Sequence, residues 1–282
     1  MADLIRHLLV ETPACQTLPN QYKQIPTAML TLISCAKTMN FAGTPPAAHL
    51  TTPAFAAEAE RIAMTLAQQD VEALGRMLRV KPPIAAENFR RFQEFHSPHT
   101  PTRAALFAYT GIVFKYLCSA GFTPSDLDYT QSHLRITSFL YGLLRPLDGI
   151  RPYRLEGDVR IPHDTDPTLF EHWRDILTPM LLADIAAAGG TLCNLASDEM
   201  RSLFHWNEVK AHAHIITPEF YVYKDGRPKT IVVYTKMARG AMTRFILTNR
   251  ITSPEELKSF EWEGFAYNEE MSKADNRLVF TQ

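Results

Sequence analysis

Several charged side chains occur where apolar runs of the chain end, and together they have the chemistry to bind and transform a small anion. Three apolar runs predict buried strands, and polar residues follow each of them. The runs are 29–34, 191–196 and 230–235, and the polar residues are Lys37, then Asp198 and Glu199, and then Lys236. Groups at the ends of buried strands are often held in one cleft. There the lysines would bind an anion while a carboxylate acted as general acid or base.

A fourth charged segment, 143–157, carries Arg145, Arg154 and Glu156 between prolines and glycines. So much charge on turns favours a site over a solvated helix face. A structural alternative stays open for each cluster. The cations could cap helices or pair with nearby carboxylates, and the acidic pair after the second run could form the first turn of a helix.

A basic helix is predicted over residues 234–250, and it carries a glycine among its cations. At 100° per residue, the cations fall within an arc of about 140°. They are Lys236, Arg239, Arg244 and Arg250. Gly240 lies near the centre of this arc, although glycine costs a helix about 1 kcal/mol relative to alanine. We interpret Gly240 as a position where bare backbone lets an anion approach.

The composition predicts a globular protein without a membrane partner. The chain has 282 residues, of which 46% are hydrophobic and 21% charged, and its formal net charge is −1. Any binding of nucleic acid would therefore depend on a local basic patch. No apolar run reaches about 18 residues, so no spanning helix is expected. The four cysteines show no C-x-x-C spacing, which fits a reducing cytoplasm and argues against a disulfide framework.

The order of the predicted elements indicates one α+β domain over residues 29–282, preceded by an N-terminal extension over residues 1–28. The apolar run of the extension is too short for a secretory signal, and Met29 is an alternative start. Further elements follow from apolar spacing and capping residues. They are two helices within 54–79 that meet near Asp70, a helix over 84–96, a helix capped by Thr123, and a long helix from Asp166 to the pair Gly189-Gly190.

Two β-rich runs, 220–223 and 230–235, flank Asp225-Gly226 and predict a hairpin. Segment 133–144 is either strand or buried helix, because its periodicity alone does not decide between them. A short turn and a second helix are expected after the basic helix, with Ser253 as N-cap.

Two histidine pairs and one cysteine are further candidates for metal or redox chemistry. His212 and His214 would lie on one face of a strand, and His96 and His99 lie in a proline-rich loop. Neither pair has a third ligand at a familiar spacing, so we expect no metal and no cofactor. Cys35 could have a lowered pKa, but the role of a small buried apolar residue is favoured.

Five segments of the chain together resemble one protein family. They are 32–38 (LISCAKT), 133–156 (HLRITSFLYGLLRPLDGIRPYRLE), 194–199 (NLASDE), 234–251 (YTKMARGAMTRFILTNRI) and 260–270 (FEWEGFAYNEE). In order and content they resemble the YaaA family of peroxide-stress proteins. The resemblance implies a cytoplasmic protein with a compact α+β arrangement, called the cantaloupe fold. That fold has a mixed sheet with surrounding helices, a positively charged cleft and a helix-hairpin-helix-like element.

The resemblance also implies a role and a set of residues. The family protects cells during hydrogen peroxide stress by limiting free intracellular iron. DNA binding is ascribed to it, and no enzymatic reaction is agreed for it. The positions that match are Lys37, Arg145, Arg154, Lys236, Arg239 and Arg244 for anion or DNA binding, and Glu156, Asp198 and Glu199 as candidate catalytic groups. This chain departs from the family's pattern at Cys35, where a proline is usual, and at Ile112, where we expect an acid.

Two functions are compatible with these residues. In the first, which the family's role favours, the basic helix binds DNA phosphates and Gly240 lets the backbone approach them closely. In the second, the protein is an enzyme whose cations hold a small phosphorylated or nucleotide-like anion while one of the three carboxylates acts as acid or base. The mixture of carboxylates with arginines favours the second function, because acids repel a DNA backbone.

Overall fold

The structure is a computed structural model that describes residues 28–43, 49–117, 119–162, 167–273 and 277–282. The predicted N-terminal extension lies outside these ranges except for Ala28. Buried hydrophobic side chains form one continuous core cluster, which includes Met29 of the first strand and Phe280 of the last. The extent of the domain stays a prediction.

The strands form two larger sheets and two short pairs. The strands are β1 (Met29–Ile33), β2 (Thr38–Met39), β3 (Arg103–Ala104), β4 (Tyr109–Thr110), β5 (Leu134–Ser138), β6 (Gly142–Leu144), β7 (Gly149–Ile150), β8 (Thr191–Asn194), β9 (His214–Ile216), β10 (Glu219–Lys224), β11 (Arg227–Lys229), β12 (Ala266–Tyr267) and β13 (Val279–Thr281). The five-stranded sheet has the order β6-β5-β1-β8-β9, and the four-stranded sheet has the order β11-β10-β13-β12. The pairs are β2-β4 and β3-β7.

Helices lie between these strands along most of the chain. The α-helices are α1 (Ala56–Ala67), α2 (Val71–Leu78), α3 (Pro82–Gln93), α4 (Ala105–Ala108), α5 (Ile112–Leu117), α6 (Pro124–His133), α7 (Leu169–Ala187), α8 (Trp206–His212), α9 (Val232–Asn249) and α10 (Pro254–Leu257). Short 3₁₀ helices occupy Ser119–Gly121, Asp198–Leu203 and Glu270–Ser272.

The centre of the larger sheet is β1, which lies between β5 and β8 and runs parallel to both. All five residues of β1 are buried, as expected for a parallel strand covered on both faces. Strand β9 continues the parallel arrangement beside β8, whereas β6 is antiparallel to β5. The sheet is therefore mixed, and the predicted α+β fold class is confirmed.

Capping residues place several helices where the sequence predicts them. Asp70 separates α1 from α2 and accepts a hydrogen bond from the backbone of α2. Thr123 forms a capping box at the start of α6, and Ser253 caps α10. The long predicted helix is α7, which begins after the capping residue Thr168 and ends before the glycine pair. Segment 133–144, left open by its periodicity, contains the antiparallel strands β5 and β6.

The prediction of a strand over 230–235 is wrong, although the hairpin turn is correct. Asp225 and Gly226 both have positive φ, as a two-residue turn of this type requires, and they join β10 to β11. The short strand β11 ends at Lys229, and the β-branched residues that follow begin α9. Val232 and Val233 are exposed, so it is the packing of the later turns of α9 that overrides their strand propensity.

The histidine pair at the end of α8 also differs from its prediction. His212 is the last residue of α8 and His214 is the first residue of β9, so the two do not share a strand. The two rings therefore lack the common face that a strand would give them. No helix within the described ranges is long and apolar enough to cross a membrane.

Candidate functional site

A cleft of about 440 Å³ opens where β1 and β8 end. Its lining comes from the loops after these strands, from α5, from the segment after β7 and from α9. The lining residues are Ser34, Cys35, Ala36, Lys37, Thr38, Thr110, Gly111, Ile112, Val113, Phe114, Phe139, Tyr153, Arg154, Leu155, Leu195, Ser197, Glu199, Met200, Lys236 and Arg239. The structure thus brings together four predicted cations and one predicted carboxylate.

The strand order explains why the cleft forms at this position. The chain leaves β1 toward β5 on one side of the sheet, and it leaves β8 toward β9 on the other side. Connections that diverge in this way leave a crevice at the carboxyl ends of the two strands. Ser34 and Ser197 bridge it: the backbone N–H of Ser197 donates to Ser34 Oγ at 2.9 Å, and Ser34 Oγ donates to Ser197 Oγ at 3.2 Å.

Glu156 holds two of the predicted cations in place beside the cleft. Its carboxylate lies 2.7 Å from Lys37 Nζ and 3.4 Å from Arg154 Nη2. The Glu156 side chain is 14% exposed, whereas that of Lys37 is 59% exposed. Arg154 Nε is buried and has no hydrogen-bond partner within the described ranges. Glu156 is therefore placed to orient two cations, and one of them keeps an unused donor.

Helix α9 contributes the other two cations. Lys236 is exposed, whereas Arg239 is partly buried, and Arg239 Nε has no hydrogen-bond partner among the residues the structure describes. Burial lowers the pKa of Arg239, and the carboxylate of Asp198 opposes that shift. A desolvated guanidinium with an unused donor favours an anionic partner, because charge-assisted hydrogen bonds are stronger than neutral ones.

The two carboxylates after β8 have different surroundings. Glu199 is exposed and lines the cleft, whereas Asp198 forms an ion pair with Arg201 at 3.0 Å and its side chain is 83% exposed. Both belong to the first turn of the 3₁₀ helix Asp198–Leu203, for which Ser197 occupies the N-cap position. The helix-start alternative is thus correct for their backbone, and Glu199 remains available to the cleft.

Two predicted binding residues lie away from the cleft. Arg145 donates to the carboxylate of Asp148 and to the carbonyl of Thr52. Arg244 lies over the ring of Phe122 at 5.4 Å and donates to a backbone carbonyl of α5. Both arginines connect parts of the fold, as the structural alternative describes, and the binding role of each stays a prediction.

Gly240 lies in the middle of α9 and packs against a neighbouring helix, and its contact with an anion stays a prediction. The glycine is buried and faces α5, and a Cβ atom added to it would lie 2.3 Å from the carbonyl oxygen of Val113. The bare backbone therefore allows two helices to pack closely. This packing positions the first turn of α5, which lines the cleft.

Hydrogen peroxide should oxidise Cys35 slowly, although this residue lines the cleft. Burial raises the pKa of the thiol to about 12, and the carboxylates of Glu199 and Glu156 add to the shift. Because the thiolate is the reactive form, oxidation should stay slow both at pH 7 and at pH 8.5. Mass spectrometry after trapping of sulfenic acid measures the rate. The same protein unfolded in guanidinium is the control and should react at both pH values. Rapid labelling of folded Cys35 would contradict this prediction.

Several cleft residues were not predicted from the sequence. Ser34 could have been found, because it follows β1 as Ser197 follows β8, and equivalent positions of neighbouring parallel strands lie side by side. Thr110 and Tyr153 carry no such local signal. Their segments reach the cleft only through contacts distant in sequence.

Comparison with known proteins gives the family of the chain. A family model described as "Peroxide stress protein YaaA" matches residues 29–271. The chain belongs to the YaaA family. The resemblance found in the five sequence segments is thereby confirmed.

Relatives of this YaaA-family chain cover nearly its whole described length. A UPF0246 protein of Bacteroides fragilis is 55% identical over 253 residues, which are 90% of this chain and 98% of the relative. A UPF0246 protein of Bacteroides thetaiotaomicron is 55% identical over 252 residues, with 89% and 98% covered. A UPF0246 protein of Clostridium botulinum is 38% identical over 255 residues, which are 90% of this chain and 99% of the relative.

Proposed function

We propose that this member of a peroxide-stress family acts on a small phosphorylated or nucleotide-like anion bound in the cleft. The observation that carries the proposal is the convergence of four cations, Lys37, Arg154, Lys236 and Arg239, on one concave site. The cleft volume of about 440 Å³ is in the range of small-molecule sites. A concave site of this size admits a mononucleotide but not a DNA duplex.

The side chains supply distinct chemical roles in this proposal. Arg154 and Arg239 bind the anion, because each has a buried Nε without a hydrogen-bond partner within the described ranges. Glu156 orients Lys37 and Arg154 by ion pairing. Glu199 lines the cleft and is the candidate general acid or base toward the bound molecule.

Calorimetric titration tests this function with inorganic phosphate, pyrophosphate and a set of mononucleotides. At least one of them should bind, and Arg239→Gln should weaken its binding about tenfold or more, because it removes a charged hydrogen-bond donor. Arg61→Gln is the matched control, since Arg61 pairs with Glu58 on α1. The proposal fails if the native protein binds none of these compounds, or if Arg239→Gln binds as tightly as the native chain.

The hairpin of β10 and β11 supports a second candidate, DNA binding. Its cations Lys224, Arg227 and Lys229 are exposed, and the ring of Tyr223 is 49% exposed beside them. Cations next to aromatic rings suit binding to nucleic acid. In this candidate the bound protein shields DNA during peroxide stress and lowers free iron indirectly. The short turn after α9 and the helix α10 would be a second contact.

Replacing the three hairpin cations by glutamine tests the DNA candidate. Fluorescence anisotropy with a labelled duplex should show weaker binding. Each lost phosphate contact should also reduce the slope of log K against log salt by about 0.9. Arg239→Gln should leave DNA affinity nearly unchanged, since its side chain belongs to the cleft. Equal DNA affinity and slope for the triple variant and the native protein would exclude the hairpin as the contact.

We also propose a cytoplasmic location. Cys35 and Cys193 are free thiols, which supports a reducing compartment.

A further inference from the structure

The residues that line the cleft change in character with depth. The most buried of them are apolar, with between 1% and 7% of their surface exposed: Phe114, Phe139, Leu155, Leu195 and Met200. The exposed ones include three charged residues, Lys37, Glu199 and Lys236. Arg154 and Arg239 are intermediate. The cleft therefore has an apolar floor and a charged mouth.

Two polar groups at the floor already have hydrogen-bond partners. The hydroxyl of Tyr153 makes hydrogen bonds to Ser138 at 2.7 Å and to Tyr109 at 2.5 Å. The backbone N–H of Cys35 donates to Thr137 Oγ1 at 3.3 Å. A ligand with many hydroxyl groups would lose water at this floor without gaining equivalent partners, and such burial is costly. A flat apolar group would lose no hydrogen bonds to water there, and it would bury hydrophobic side chains.

We infer that the cleft selects a phosphate monoester with an aromatic or apolar body, which lies on the floor while the phosphate binds the arginines near the mouth. This inference rests on the proposed function and specifies its substrate class. Sugar phosphates and inorganic phosphate carry the same anion but lack the apolar body, so they bind more weakly. Mononucleotides fit the class through their bases.

Ile112 is the residue best suited to test the role of the apolar lining. It is the first residue of α5, lines the cleft and is only partly buried, so that a polar substitution there is tolerated by the fold. Ile112→Asn replaces apolar surface with a neutral polar group of smaller volume and leaves all the cations in place. Ile112→Val is the matched control, because it shortens the side chain and keeps it apolar.

The experiment compares phenyl phosphate, ribose 5-phosphate and inorganic phosphate by calorimetric titration of the full chain. Phenyl phosphate should bind at least tenfold more tightly than ribose 5-phosphate. Ile112→Asn should reduce that preference several-fold without changing affinity for inorganic phosphate, and Ile112→Val should keep it. Equal binding of phenyl phosphate and ribose 5-phosphate would overturn the inference and leave the proposed function standing, as would an unchanged preference in Ile112→Asn. If none of the three probes binds, and pyrophosphate and mononucleotides also fail, the proposed function itself is wrong.

Discussion

Replacing Gly240 by alanine should destabilise the protein, even though alanine is the better helix former. The added Cβ would lie 2.3 Å from the carbonyl oxygen of Val113, 2.9 Å from Tyr116 Cβ and 3.1 Å from the backbone nitrogen of Leu117. Two of these atoms belong to the backbone of α5, so the clash cannot be relieved by rotating a side chain. Helix α5 would have to move away from α9.

The size of the effect follows from two opposing terms. Alanine gains about 1 kcal/mol of helix propensity over glycine. Overpacking a tight contact costs about 1–3 kcal/mol and occasionally more, and a contact this short against backbone belongs to the upper end. We therefore expect a net loss of about 2 kcal/mol in the free energy of unfolding, measured by urea titration.

Gly75→Ala is the matched control for this prediction. Gly75 also lies within a helix, but an added Cβ would meet only the Cβ of Ala85 at 3.2 Å and a carbonyl oxygen at 3.9 Å. The free energy of unfolding of the Gly75→Ala variant should differ from that of the native protein by less than about 1 kcal/mol, because the higher helix propensity of alanine offsets the mild crowding. If Gly240→Ala were as stable as the native protein, close packing would not explain this glycine. Its predicted role in approaching an anion would then regain support.

Gly240 also shows which part of the site could not be predicted from the sequence. A helical projection correctly places the glycine among four cations, but it does not show which element covers that side of the helix. In the structure, α5 covers the side of α9 that carries Gly240, and the cations have different roles. Lys236 and Arg239 line the cleft, whereas Arg244 packs over Phe122. Whether a cation of α9 lines the cleft or packs within the fold depends on the positions of the neighbouring helices and strands.

The residues at the strand ends were predictable for a physical reason. Lys37 follows β1, and Glu199 follows β8. These two strands are parallel neighbours, and the carboxyl ends of parallel strands lie at the same edge of a sheet. Segment 143–157 is the contrasting case. Arg145 and Arg154 have similar surroundings in the sequence. Of these two, only Arg154 lines the cleft, because Arg145 forms an ion pair with Asp148.

Replacing Asp148 by alanine should cause the second large loss of stability. Asp148 is 1% exposed, and its carboxylate accepts hydrogen bonds from Thr51 Oγ1 at 2.7 Å, from the backbone N–H of Arg145 at 2.8 Å and from the Arg145 guanidinium at 2.9 Å. The substitution leaves a backbone donor and a hydroxyl without their acceptor. Removing one member of a buried ion pair costs about 3–5 kcal/mol. Since the guanidinium of Arg145 is partly exposed and can be hydrated, we expect a loss of about 3 kcal/mol.

Asp158→Ala separates this effect from the general loss of an ion pair. Asp158 pairs with Arg79 at 2.6 Å, but both side chains are exposed, so its removal should cost less than about 1 kcal/mol. A double-mutant cycle with Arg145→Ala then measures the coupling between Arg145 and Asp148. A large coupling would establish Arg145 as part of a structural clamp on the loop before Arg154. A coupling near zero, together with a mild effect of Asp148→Ala, would contradict that role and return Arg145 to the candidates for binding.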